Sequence, residues 1–175
     1  MRKQVKLFTL LAALLLAVMS LPAVAGAADP AVAEKALSVA TNCAKQLDGA
    51  WGDQHAALIE SKKGAEFEGF ESMQATINGL LAGSGATYIY ALYPSGAVDS
   101  APFIITVDGS ADPDDYGKSL EWEAGFAAAW GGAPIAAEEA EEDKGGAGLL
   151  LSAYAPIHDG KGAVVAVLGV DIPAK

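Results

Sequence analysis

Four aspartates crowd one stretch of the chain, Asp108, Asp112, Asp114 and Asp115, and a second acidic run follows at Glu138, Glu139, Glu141, Glu142 and Asp143. Clustered carboxylates suit a hard cation such as calcium. A calcium-binding loop, however, alternates its ligands around a glycine and closes on a glutamate, an order this spacing lacks. A solvated acidic loop and a charged face are the simpler readings. Hydrolysis would need a nucleophile beside a base. The histidines are His55 and His158, His158 falls in a turn, and Ser84 in AGSGA lacks the G-x-S-x-G elbow. Zinc would need clustered His and Cys, and Cys43 is the only cysteine. No catalytic residue, metal or cofactor is assigned, and the expectation is a protein that is not an enzyme. A secreted enzyme remains the least favoured alternative.

Any site must be held by the elements around it. The best-defined are two apolar runs, Leu149 to Pro156 and Ala163 to Ile172, joined by Ile157-His158-Asp159-Gly160-Lys161-Gly162. Apolar runs of this length bounded by turn residues read as buried neighbouring strands, so they predict a hairpin. The connection favours a bulge or a longer loop over a bare two-residue turn. Thr87 to Tyr93 alternates, with Tyr88, Tyr90 and Leu92 on one face. Ala101 to Val107 predicts a second strand, with Phe103, Ile105 and Val107 opposite Ile104, Thr106 and Asp108. A short strand is expected near Pro134 to Ala137.

The helices have their own signals. Asp29-Pro30 supplies an N-cap and a proline at the first helical position, and Ala36, Ala40, Cys43, Ala44 and Leu47 recur at helical spacing. Gln54 to Ser61 predicts a short helix with Ala57 and Leu58 inward. Phe67 to Ala82 predicts another, apolar at Phe70, Met73, Ile77, Leu80 and Leu81 and closed by Gly83-Ser84-Gly85. A last short helix is expected over Ser119 to Trp130. This order points to an α+β fold, a five-stranded antiparallel sheet with helices mainly on one face. The segment from Asp108 to Gly148 must then arch over the other face and can enclose a cavity.

Arg2, Lys3 and Lys6 precede an apolar run from Leu7 to Leu21 and then small residues to Ala28, the pattern of a secretory signal peptide. The expected organisation is residues 1–28 as the signal and 29–175 as one domain, periplasmic or secreted and not membrane-spanning after cleavage. The signal carries three of the 11 Lys+Arg and no acid, so eight basic residues remain against 22 acidic ones, a formal charge of −14. Such a polyanion is a poor partner for nucleic acid or anionic membranes. With one cysteine there is no intrachain disulfide, so the apolar core must hold the exported fold.

The string SAYAPIHDGKGAVVAVLGVDI resembles the closing hairpin of Cache domains, the PAS-like extracytoplasmic sensor modules of bacterial chemoreceptors, histidine kinases and diguanylate cyclases, whose usual ending is SAYAPIxDxxGxVVAVLGVDI. Upstream, TYIYALYP resembles the family's YVYTL strand and FIITVDGSADPDD its FVVDG strand and acidic loop. The resemblance spans Phe67 to Ile172. It implies a PAS-like sheet with a long N-terminal helix and a small-molecule site on the face beneath the arching segment. Carried over by position, the ligand-binding candidates are Tyr90, Asp108, Trp122 in the overlying helix, Ser152, Tyr154 and Asp171. Each also has a structural account: core packing for the tyrosines and Ser152, an Asx turn for Asp108, a closing role for Asp171, and a half-exposed lid position for Trp122. Where many relatives carry Asp-x-Trp-Gly this chain has Asp143-Lys144-Gly145-Gly146, so an aromatic wall is expected to be missing and no ligand is assigned. The chain ends three residues after Ile172, so no output module is expected; any signal would pass through a partner such as a membrane sensor protein, or the protein would merely carry or buffer its ligand. The alternative is an accessory protein-interaction module whose cavity is filled by its own side chains.

Overall fold

The computed structural model describes residues 27–109 and 116–175. The expected signal peptide lies outside the described residues apart from Ala27 and Ala28, as do Asp112, Asp114 and Asp115. Helix α1 (Pro30–Leu47) starts as its sequence predicts, with the Asp29 carboxylate accepting from the Ala31 amide at 2.8 Å and proline in the first turn. Its Ala36, Ala40, Cys43, Ala44 and Leu47 are buried. Helix α2 (Ala50–Ser61) begins four residues before the expected start, because Gly49 at φ +80° turns the chain straight out of α1. It buries Trp51, Gly52, His55 and Leu58, whereas Ala57, expected inward, is exposed. The earlier start brings Gly52 against the backbone carbonyl of His158, a contact that leaves no room for a Cβ. Helix α3 (Phe70–Ser84) begins later than Phe67, after a 3₁₀ turn at Gly64–Glu66, and ends at Gly85 in the left-handed region.

The strands are β1 (Tyr88–Pro94), β2 (Phe103–Asp108), β3 (Ser119–Leu120), β4 (Ile135–Ala136), β5 (Glu141–Glu142), β6 (Leu149–His158) and β7 (Val164–Pro173). They form one antiparallel sheet in the order β3-β2-β1-β7-β6-β4, with β5 also on β6. The five expected strands are present, and β3 and β5 add two short ones. The expected helix over Ser119 to Trp130 is corrected to α4 (Ala124–Trp130), since Ser119 and Leu120 pair with Ile104 and Phe103 as an edge strand. Trp122 therefore precedes the helix. The acidic run is partly paired too: Glu141 and Glu142 lie against Leu150 and Leu149, and Ala27 bridges Glu139.

Helices α1, α2 and α3 cover one face of the sheet. Ile77, Met73, Leu58 and Leu47 meet Ile89, Val107, Leu168, Val170 and Leu151 in a continuous apolar core. On the other face α4 closes a smaller core of Leu92, Phe103, Ile105, Phe126, Tyr154 and Val167. The architecture is α+β, with a long N-terminal helix and an antiparallel, PAS-like sheet.

Two bulges interrupt the ladder. Ala91 pairs with Val107 and Leu92 with Ile105, so Thr106 is an extra residue in β2. Ile157 pairs with Ala166 and His158 with Val164, so Val165 is extra in β7, as the hairpin loop led one to expect. The first bulge overturns the alternation read from sequence. Phe103 and Ile105 face α4, but Thr106 and Val107 both turn to the helical layer, and Asp108 comes round to the side of Ile105.

Candidate ligand-binding site

Beyond the edge of the small core, the face not covered by α1–α3 opens into a cleft of about 400 Å³. Its floor is the sheet. β1 contributes Tyr88 and Tyr90, β2 Ile105 and Asp108, β7 Asp171. Its walls are Lys118 and Leu120 at β3, and Asp143, Lys144 and Gly145 from the β5–β6 loop. Strand register does the assembling. Asp171 pairs with Tyr88 on one side and Ser152 on the other, while Tyr90 pairs with Asp108 and Gly169.

The polar groups are tied into short chains. The Tyr90 hydroxyl donates to Asp171 Oδ1 at 3.3 Å, and that of Tyr88 to Asp143 Oδ2 at 3.2 Å. Asp143 also accepts from the Ala147 amide at 2.8 Å, and the backbone amides of Ala147 and Gly145 hold its carboxyl below the usual range. Asp171 differs. Burial pushes its carboxyl up, hydrogen bonds from Ser152 and Tyr90 oppose this, and Asp143 and Glu141 add to the rise. Burial, and after it the Asp171 charge, push Tyr90 well above the usual phenol range, so it remains a proton donor. Behind the cleft, the Tyr154 hydroxyl donates to Glu123 Oε2 at 2.9 Å, and its ring packs edge-on against Phe126 with centroids 4.8 Å apart. Burial also raises the Glu123 carboxyl.

Of the six residues proposed from sequence, the structure brings Tyr90, Asp108 and Asp171 together on the cleft surface. Ser152 does not line the cleft but hydrogen-bonds Asp171 from the next strand. Tyr154 is buried under α4 and faces Glu123. Trp122 lies elsewhere: 39% exposed, it donates from Nε1 to the Val98 carbonyl at 2.9 Å. Sequence reasoning missed Tyr88, Asp143 and Lys118. Tyr88 carried a signal, its shared face with Tyr90. Asp143 sits in the very element singled out for its lost aromatic residue.

The residues weighed for hydrolysis are occupied separately. The Ser84 hydroxyl closes α3 by donating to Leu81, and the His158 ring lies 3.0 Å from the Asp48 carboxylate. His55 is buried against Thr106. Among the described residues no three His, Cys, Asp or Glu side chains group as a metal site, and no helix is long and apolar enough to cross a membrane. A second groove of about 370 Å³, between α1 and α3, is lined by Val39, Asn42, Cys43, Gln46, Gly79, Leu80, Gly83 and Ser84 and presents no charged side chain.

Neither a family model nor a curated protein matches this chain. Among solved structures it is similar to the ligand-binding domain of the Campylobacter jejuni chemoreceptor Tlp3, determined in complex with 4-methylisoleucine. The two share 15% identity at a TM-score of 0.43. The match covers 80% of this chain and spans 59% of the other.

Proposed function

We propose that this chain carries an exported Cache-like domain, residues 29–175 after removal of a signal, that binds a small organic cation for extracytoplasmic sensing. The observation that carries the reading is the open cleft in which three carboxylates, Asp108, Asp143 and Asp171, outnumber the two lysines of its walls, Lys118 and Lys144, and converge with Tyr88 and Tyr90. Asp171 bears most of the argument. Its carboxyl is destabilised by burial and by neighbouring carboxylates, and an ammonium placed against it would relieve both costs. The tyrosine rings add faces that attract cations. A protein partner, such as a membrane sensor, would then read the occupied state. The alternative of an accessory interaction module predicts a cavity filled by its own side chains, and an open cleft favours ligand binding over it.

The test is a thermal-shift screen of the purified protein against amines (ethanolamine, putrescine, choline) and carboxylates (acetate, succinate). An amine at about a hundred times its dissociation constant should add about 2.7 kcal/mol, or about 5–10 °C for a domain of this size. The shift should vanish in Asp171→Asn. A shift with carboxylates and none with amines would overturn the charge class, and a shift that survives Asp171→Asn would overturn the site.

A further inference from the structure

Asp108 reaches the cleft through the bulge. In a regular strand side chains alternate, so with Ile105 on the cleft face Asp108 would point into the helical layer. The extra residue Thr106 resets the count and brings Asp108 beside Ile105 and Tyr90. An extra residue leaves its own groups outside the ladder, and a bulge persists only where something else engages them. Here the engagement is specific. The Thr106 hydroxyl donates to the Ala91 carbonyl at 3.0 Å, across the bulge, and lies 2.8 Å from His55 Nε2. With the hydroxyl proton on Ala91, Nε2–H donates to Thr106, and ring, hydroxyl and carbonyl form one chain across the bulge.

The ring is held for this bond. His55 is fully buried, stacked on Trp51 at 5.5 Å and tilted against Tyr93 at 6.3 Å. Trp51 is itself anchored by Nε1 to the Met73 carbonyl. The other His55 ring nitrogen, Nδ1, makes no bond of good geometry to a described residue, although the Val165 carbonyl acts on the ring. Past the bulge, the Gly109 amide returns to the Ile89 carbonyl at 2.9 Å and fixes the chain on both sides of Asp108.

We propose that His55 is a positioning residue for the ligand cleft: from the opposite face of the sheet it locks the Thr106 bulge that turns Asp108 into the site. This rests on the cleft as the ligand site, so the test has two readouts. In isotope-labelled protein, nuclear Overhauser contacts between Asp108 and Ile105 report the bulge directly and need no ligand. His55→Phe and Thr106→Val should lose those contacts and speed amide exchange at Gly109, while Thr106→Ser and His55→Gln, which keep the hydroxyl and the donor, should retain them. In the second readout, affinity for putrescine should fall at least about tenfold in His55→Phe and Thr106→Val, the effect of one lost contact to a charged group. In an Asp108→Asn background the same substitutions should cost no further affinity. Persistence of the Asp108–Ile105 contacts in a folded His55→Phe or Thr106→Val variant overturns the proposal. Should His55→Phe fail to fold, Thr106→Val decides it. Absence of putrescine binding to the wild type counts against the amine reading alone, because the contact measurement stands without it.

Discussion

Gly169→Ala tests how closely the cleft floor is built. Gly169 pairs with Tyr90 across β1 and β7, and the Tyr90 ring lies over it. A methyl group there would stand 2.6 Å from ring carbon Cζ and nearer still to Cε2. Carbon atoms settle at about 3.5–4.0 Å, so the ring must retreat by about 1 Å. Its hydroxyl travels with it, and the bond to Asp171 already spans 3.3 Å, close to where a hydrogen bond ceases to count. Overpacking of this kind costs about 1–3 kcal/mol. At about 2–4 °C per kcal/mol for a domain of this size, Tm should fall by about 2–12 °C, and amine affinity should fall with it. The decisive control is Tyr90→Ala, which removes the ring. In that background Gly169→Ala should be neutral or stabilising, since alanine in a strand is favoured over glycine by about 0.5–1 kcal/mol. An equal cost with and without the ring, measured by thermal melts of the four proteins, would refute the reasoning.

Three further outcomes are expected. Asp171 has its carboxyl raised in the fold, so the associated stability is full below the ordinary aspartate value of about 3.9 and is lost as pH rises through the folded value. Asp171→Asn should therefore melt higher than the wild type at about pH 7, converge with it in acid, and lose amine binding. His55 moves the other way: burial pushes it down to about 4 from 6.5, with the Val165 carbonyl opposing. Its contribution is full above about pH 6.5 and is lost as pH falls toward 4, about 3 kcal/mol in all, so the acid limb of the stability profile should flatten in His55→Gln. Leu168→Ala, at a fully buried position between Ala91 and Ala155, should cost about 2–5 kcal/mol by chemical denaturation without changing which ligands bind.

The elements legible in sequence are those whose signals are local. Asp29-Pro30 starts α1 because capping is a matter of two or three residues. The β6–β7 hairpin was legible because two long apolar runs flank one glycine-bearing loop. What could not be read depends on partners far along the chain. Ser119 and Leu120 look like the first turn of a helix until β2 offers them an edge. Thr106, set between Ile105 and Val107, looks like the polar step of a regular strand, and only His55, 51 residues away, reveals it as an extra residue. The site divided the same way. Tyr90 and Asp171 followed from recognisable strand motifs. The facing of Asp108 was set by a bulge, and Tyr88 and Asp143 meet only through a loop closure spanning 55 residues.

The position of β7 also sets a timetable. It follows every other described strand along the chain, yet it lies between β1 and β6 in the sheet. Until it is made, β1 and β6 have no common neighbour and the cleft has no Asp171. A growing chain thus cannot close this sheet until Val164–Pro173 has been made. Late, long-range pairing of this kind slows folding, and the waiting chain stays open and threadable. If the chain is exported as proposed, the last strand to be made is the one whose absence would keep it threadable until it has crossed.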